Sequence, residues 1–401
     1  MTLTGFVLLY IVATIAIGVI AATRVKNTSD FALAGRSLPL PMVITATFAT
    51  WFGSETILGL PGRFIESGIA GVIEEPFGSG MALILVGTFF AHKLYKQNIL
   101  TLGDYYRDRY GRSVELLCSV AIVISYLGWV GAQVTALGLV INLITEGAVS
   151  MTTGMVIGAA VVLAYTMVGG MWSVAMTDFV QMIVIVVGLV AILWFATDLA
   201  GGMDKVVDYA RGRDLFHAFP EPTTTGWLFW ISAAMTMMIG SIPQQDVFQR
   251  VMSAKNLPTA VAGPILGGSF YILFAFVPMF IVVAAILVMP DAAEKMLSED
   301  PQQLLPTLVR DYMPMWLRVV FFGAVLSAVM STASATMLAP STIFVENVLR
   351  HFMKIDDRNM LRAMRLSVAV FAVCVLSYSI ALEGAAIYDM VAMAYQFPVV
   401  G

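Results

Sequence analysis

Long apolar stretches recur along the chain, parted by short polar segments, and this alternation sets its architecture. A helix needs about 20 predominantly apolar residues to cross the hydrocarbon core of a bilayer. Stretches of that kind predict helices, to within a few residues, over about 4–22, 39–60, 68–92, 113–144, 150–168, 174–199, 225–245, 261–289, 314–347 and 362–382, with an eleventh beginning near Ala385. The sequence stops at Gly401 inside or at the end of that last helix, which points to a piece of a longer protein, truncated at its C-terminus. The first stretch, Gly5 to Ala22, has its positive charges, Arg24 and Lys26, behind it rather than in front. It predicts a retained membrane helix rather than a cleaved signal.

Composition agrees. Of 401 residues, 59% are hydrophobic and 12% charged, about half the charge of an ordinary soluble domain. So few charges do not cover a soluble surface, and lipid is the expected solvent. With a net charge of −4, nothing suggests nucleic acid as a partner, and none is expected. Cys118 and Cys374 lie far apart in apolar segments and read as core residues; His92, His217 and His351 fall at segment edges or in loops. Neither a zinc motif nor a Gly-x-Ser-x-Gly nucleophile is present, so an enzyme is not expected. The 26 methionines read as packing residues.

Charge orients the helices. Segments after the first, third, seventh and ninth helices carry Arg24, Lys26 and Arg36; Lys93, Lys96, Arg107, Arg109 and Arg112; Arg250 and Lys255; and Arg350, Lys354, Arg358, Arg362 and Arg365. The opposite end has fewer basic residues and gathers Asp204, Asp208, Asp214, Asp291, Glu294, Glu299 and Asp300. Short cytoplasmic loops are enriched in Lys and Arg, so the basic end is expected inside and the N-terminus outside, in a plasma (inner) membrane. A short loop near Ser173 has no basic residue.

Two helices have interrupted centres: Trp51-Phe52-Gly53-Ser54 followed by Gly59-Leu60-Pro61-Gly62, and Gly240-Ser241-Ile242-Pro243. Glycine frees the backbone and proline removes a donor. Unwound backbone is tolerated at membrane depth only where protein packs it or it lines a cavity. With the first helix set aside, these are the leading helices of two five-helix sets. Residues 1–38 then form an extra helix and loop, 39–199 the first repeat, 200–224 an external loop, and 225–401 a second repeat, incomplete at its end. Broken helices at matching places in inverted repeats mark the central site of a transporter.

The candidate solute site follows from polar groups at those breaks: Trp51, Gly53, Ser54, Glu55, Gln244 and Gln245, with Trp129 and Gln133 one helical turn apart on another helix. An ionisable group inside a span is a functional hypothesis by default, and indole faces attract organic cations. Glu74 and Glu75 lie toward the outer part of the third helix and receive no role. Ser331, Thr332 and Ser334 place hydroxyls mid-helix; taken alone, such hydroxyls bond back to the preceding turn. Asp178, after Thr177, reads as a helix N-cap.

Four stretches resemble the sodium–solute symporter family: Tyr165 to Asp178 with Gln181 following, Asp30 to Arg36, Leu58 to Gly62, and Ala328 to Ser334. The likeness runs in order along essentially the whole chain. It implies an all-α membrane protein with a five-plus-five inverted-repeat transporter fold and one extra N-terminal helix. It further implies a sodium ion held by the Ser331 and Thr332 hydroxyls and by the carbonyls of Ala328, Ala49 and Phe52, with Asp178 near the sodium exit path. Within the family, Thr50 to Gly53, Trp129, Ile242-Pro243 and Phe248 to Arg250 look like the choline-transporter branch. Gln244 stands where that branch has a tryptophan, so a polar or anionic solute hydrogen-bonded by Gln244 and Gln245 is expected as readily as choline. The function implied is sodium-coupled import of a small polar or charged organic solute by alternating access; the alternative is a sensor module of the same fold feeding a signalling domain.

Overall fold

A computed structural model describes residues 2–353, 356–382, 384–391 and 394. Secondary structure among them is helical apart from one isolated bridge between Leu38 and Ala254. In chain order the principal elements are α1 (Leu3–Ala22), α2 (Thr28–Leu33), α3 (Leu40–Trp51), α4 (Leu60–Ser67), α5 (Ile69–Gln97), α6 (Leu102–Tyr110), α7 (Arg112–Ile144) and α8 (Met151–Leu199). They continue with α9 (Met203–Gly212), α10 (Thr224–Gly240), α11 (Gln245–Ser253), α12 (Leu257–Val288), α13 (Pro290–Glu299), α14 (Leu304–Tyr312), α15 (Met315–Phe352) and α16 (Asp357–Ala381). Seven are long and apolar enough to cross a membrane, or eight if α10 and α11, bent by 47°, count as one span.

Several expected boundaries shift. The second helix does not end at residue 60: a π-helical turn over Glu55–Gly59 runs straight into α4, and the chain stays helical past Pro61 to Ser67. No loop separates the fifth and sixth spans. Residues 151–199 are helical throughout except at Gly170, and 49 residues would extend about 74 Å, over twice the hydrocarbon thickness. A single non-helical residue therefore divides two crossings. The polar segments are also more ordered than alternation suggests, because α6, α9, α13 and α14 are short amphipathic helices that lie outside the spans. Cys374 is exposed on the apolar face of α16 rather than in the core, and Cys118 is partly covered. Of the eleventh helix, residues 387–391 and 394 are helical; Lys354 and the remainder of that helix fall outside the described residues.

Burial ranks the helices. In the most apolar window of α1 only 22% of residues are covered, against 83% in α15. Thus α1 is peripheral and α15 is the axis. It packs most heavily on α8, then α7, and small residues on it (Ala328, Ala333 and Ala335, all at most 1% exposed) permit the approach. Tyr165 of α8 donates its hydroxyl to the Met330 carbonyl at 3.1 Å. Helix ends at membrane depth need partners for free amides and carbonyls. Ser150 caps α8, Thr223 caps α10 and Asn256 caps α12, each accepting from an amide three residues on.

Gly170 adopts φ 51°, ψ −138°, a conformation that glycine alone takes easily. A Cβ there would lie 2.3 Å from the Phe31 carbonyl oxygen and 2.7 Å from its ring. Gly170→Ala is accordingly expected to lower stability by about 2 kcal/mol or more, read as a lower melting temperature and a broadened size-exclusion peak in detergent. Gly212→Ala, with open space around the added carbon, is the neutral control.

Candidate functional site

The helix α3 stops at Trp51 because Phe52 leaves helical geometry (φ −90°, ψ 70°). In an unbroken helix the Ala49 carbonyl would accept from the Gly53 amide; no such bond is present. Instead it accepts from two side chains of α15. Ser331 Oγ donates to it, and Thr332 Oγ1 donates at 3.3 Å. Ser331 Oγ also reaches the Ala328 carbonyl at 3.1 Å. Four oxygens, from Ala49, Ala328, Ser331 and Thr332, therefore converge on one point, and all four residues are fully buried. Phe52 sits beside them at the carbonyl-rich end of α3, where the helix dipole favours a cation; its ring stacks on Phe48 and meets Phe274.

One residue further on, the chain turns over this point. A Cβ on Gly53 would fall 2.6 Å from Glu55 Oε2, 2.8 Å from Thr332 Oγ1 and 3.0 Å from Gln133 Oε1. Only a bare α-carbon lets these three side chains meet. Glu55 is 1% exposed. Its Oε1 accepts from Trp129 Nε1 at 3.0 Å, and its Oε2 from Gln133 Nε2 at 2.7 Å and Ser54 Oγ at 3.4 Å. The Gln133 Oε1 in turn accepts from the Ser54 amide at 3.0 Å. The rings of Trp51 and Trp129 lie 5.1 Å apart, tilted by 57°. Six expected solute-site residues, Trp51, Gly53, Ser54, Glu55, Trp129 and Gln133, thus form one buried cluster against the four oxygens.

Gln244 and Gln245 do not join it through any hydrogen bond. Gln245 Oε1 accepts from the Leu102 amide at 2.9 Å, tying α11 to the start of α6. Gln244 precedes α11 as its N-cap residue, buried, with Oε1 lacking a hydrogen-bond partner among the described residues. Asp178 is no helix cap: it lies within α8, fully buried, and neither carboxylate oxygen has a hydrogen-bond partner there. Burying such a group unpaired is costly, so a structural cap does not explain it.

Other buried charges escaped the sequence reading. Glu75, 3% exposed, accepts from Thr56 Oγ1 at 2.8 Å and from the Tyr271 hydroxyl. Asp246 Oδ1 accepts from Tyr126 at 2.5 Å, while Arg250, one turn along α11, donates to the Asp246 carbonyl at 2.7 Å and to Thr50 Oγ1. At the basic end, Asn347 of α15 donates to Asp104 (3.1 Å) and Glu115 (2.8 Å) and accepts from Thr101 (2.6 Å), and Arg107 pairs with Asp104 at 2.9 Å. This network borders a cavity of about 740 Å³. The detectable signals were an Asp and an Arg four residues apart next to an apolar span, and a Glu-Pro pair inside one.

A helical bundle whose central helix meets the interrupted turn of another is the architecture of five-plus-five inverted-repeat membrane transporters. Solved structures agree: a substrate-bound, outward-open Na⁺-coupled sialic acid symporter superposes with a TM-score of 0.86 at 18% identity, covering 99% of this chain and 85% of that one. A nucleobase-cation-symport-1 family transporter in a closed conformation gives 0.65 at 15%, covering 91% and 76%. The chain belongs to the sodium:solute symporter family, whose model matches residues 31–398. Curated relatives include the high affinity choline transporter 1 of Homo sapiens, 28% identical over 91% of this chain and 65% of the relative, and its Drosophila melanogaster counterpart, 26% identical over 96% and 63%. Sodium/glucose cotransporter 4 of Danio rerio is 26% identical over 85% and 57%. The chain spans a little under two-thirds of the length of these relatives. The family is one of transporters, not enzymes.

Replacing Gln133 by Leu removes a donor to Glu55 and strands the Ser54 amide. A loss of about 3 kcal/mol is expected, seen as a melting temperature several degrees lower, with Gln133→Glu worse because it sets a second carboxylate against the first.

Proposed function

We propose that this chain is the core of a sodium-coupled symporter that imports a small polar or charged organic solute by alternating access. The observation that carries the reading is the meeting of the Ser331 and Thr332 hydroxyls with the Ala49 carbonyl at the break after α3. Sodium is a hard cation and takes oxygen ligands. Hydroxyl and carbonyl oxygens supply them without a fixed opposing charge, so the ion leaves as readily as it arrives. Ala49, Ala328, Ser331 and Thr332 hold it, and Phe52 adds a carbonyl from the same break. Family membership supports sodium as the coupling ion.

Trp51, Gly53, Ser54, Glu55, Trp129 and Gln133 form the solute site beside the ion, with Gln244 at its edge. Because Thr332 and Glu55 both border Gly53, occupancy of one site changes the field at the other. Coupling requires only that each ligand bind the two access states with different affinity. The bonds from Asn347 to Asp104 and Glu115 and from Leu102 to Gln245 fasten α15 to α6 and α7, and α11 to α6, at the basic end. Opening that end breaks them. Asp178 lies along the route by which sodium leaves. The two repeats cover 39–199 and 225–401, the basic end faces the cytoplasm, the N-terminus lies outside, and the membrane is the plasma membrane.

In proteoliposomes of the full-length protein with an imposed sodium gradient, Ser331→Ala combined with Thr332→Ala is expected to reduce sodium-stimulated solute accumulation more than tenfold while the protein still inserts and melts cooperatively. Unaltered sodium dependence in that variant discards the assignment.

A further inference from the structure

Granting the sodium reading, part of the ion's oxygen shell stands on a helix end. Ala49 lies in the last turn of α3, and after Trp51 the chain leaves helical geometry. A helix end whose carbonyls lack amides is free to fray, whereas a binding site needs its groups held to within about 0.5 Å. The Ser331 and Thr332 hydroxyls do not supply that restraint, because they are the groups the ion itself engages. The turn has to be held from another side.

Arg250 of α11 reaches it. The side chain is buried, and two of its nitrogens bond to α3: Nη2 donates to Thr50 Oγ1, and Nε to the Ala46 carbonyl at 3.5 Å. Thr50, the residue after Ala49, donates in turn to the same Ala46 carbonyl at 2.7 Å. The guanidinium therefore closes a ring over residues 46–50, at the end of α3 where the helix dipole favours a cation. Its own base is fixed. Nη1 donates to the Asp246 carbonyl at 2.7 Å and lies 4.0 Å from the Asp246 carboxylate, which Tyr126 of α7 holds. The two helices are fastened again at their other ends: the Leu38 amide donates to the Ser253 carbonyl and the Lys255 amide to the Leu38 carbonyl, both at 2.9 Å. Bonds at both ends resist sliding of α3 along α11. Apolar packing would join two helices at less cost than a buried arginine, but a planar fork of directed donors also sets their register.

We propose that Arg250 is a positioning residue of the sodium site: through Thr50 Oγ1 and the Ala46 carbonyl it fixes the last turn of α3, and with it the Ala49 carbonyl, against Ser331 and Thr332. It does not touch the ion. Releasing the turn lets the Ala49 oxygen drift, which weakens sodium and alters the discrimination between sodium and the smaller lithium ion.

Equilibrium binding of radiolabelled sodium to the full-length protein in detergent, with lithium as competitor, tests this. Thr50→Val removes the hydroxyl that Arg250 holds while leaving every proposed oxygen ligand and both charges in place. It is expected to weaken sodium about fivefold or more and to change the sodium-to-lithium affinity ratio, whereas Thr50→Ser, which keeps the hydroxyl, stays within about twofold of the parent. Arg250→Lys keeps the charge but not the fork; it is expected to weaken sodium as well, and combined with Thr50→Val to cost no more than the larger single loss. Each variant is checked for a cooperative melt, and if Arg250→Lys fails that check the two Thr50 variants decide alone. Parental sodium affinity and lithium ratio in Thr50→Val, even with a lower melting temperature, would overturn the inference. So would a Thr50→Ser protein as weak as Thr50→Val, or losses that multiply in the double variant. A parent without saturable sodium binding would instead overturn the symport reading beneath it.

Discussion

The Ala49 carbonyl is the group around which the protein is organised. Phe52 turns the chain away and removes its helical amide partner. At that depth no bulk water replaces the amide, and an unmet carbonyl costs free energy comparable to a lost hydrogen bond. The Ser331 and Thr332 hydroxyls meet it, which demands that α15 run through the middle of the bundle. That demand accounts for the burial of α15, for its small residues, and for the grip of Tyr165 on Met330. Beside it, the conformation of Gly170 lets α8 change direction against Phe31 without a loop.

Polar groups in the core are arranged by what satisfies them. Hydroxyls and carbonyls gather at the break in α3. Glu55 is met by an indole, an amide and a hydroxyl; Glu75 by a phenol and a hydroxyl. Opposite charges approach where α11 meets α3, with Arg250 4.0 Å from the Asp246 carboxylate and bonded to the Asp246 carbonyl and Thr50, and again at the basic end. Neutral donors satisfy these two carboxyl groups, whereas at the basic end the partners carry opposite charge.

Much of the architecture could be read from the sequence because lipid imposes simple requirements. Apolar length located the long helices, seven or eight of which, among the described residues, are long enough to cross a membrane where eleven were expected, and the interruptions at Gly53 and Pro243 marked both broken helices. The hydroxyl pair at Ser331 and Thr332 became meaningful through its likeness to a family motif, since spacing alone could not separate it from back-bonding. Other features were hidden for physical reasons. Pro61 looks like a stop, but the π-helical turn over Glu55–Gly59 leads the helix on past it. Gly170 does the work of a loop by itself, so patterning overcounted the polar segment there. Glu75 and Asp246 resemble surface charge until tertiary partners are known, and the direction of Gln245 depends on the Leu102 amide, which belongs to a helix that short polar stretches conceal. Asp178 resembled a cap only because the preceding break was placed a few residues too late.

The most direct test is equilibrium binding of radiolabelled sodium to the purified full-length protein, without solute, compared with Ser331→Ala and Thr332→Ala. The account predicts saturable binding in the parent that weakens at least tenfold in each variant, while both variants keep a cooperative thermal transition. Equal sodium affinity in all three proteins would contradict it.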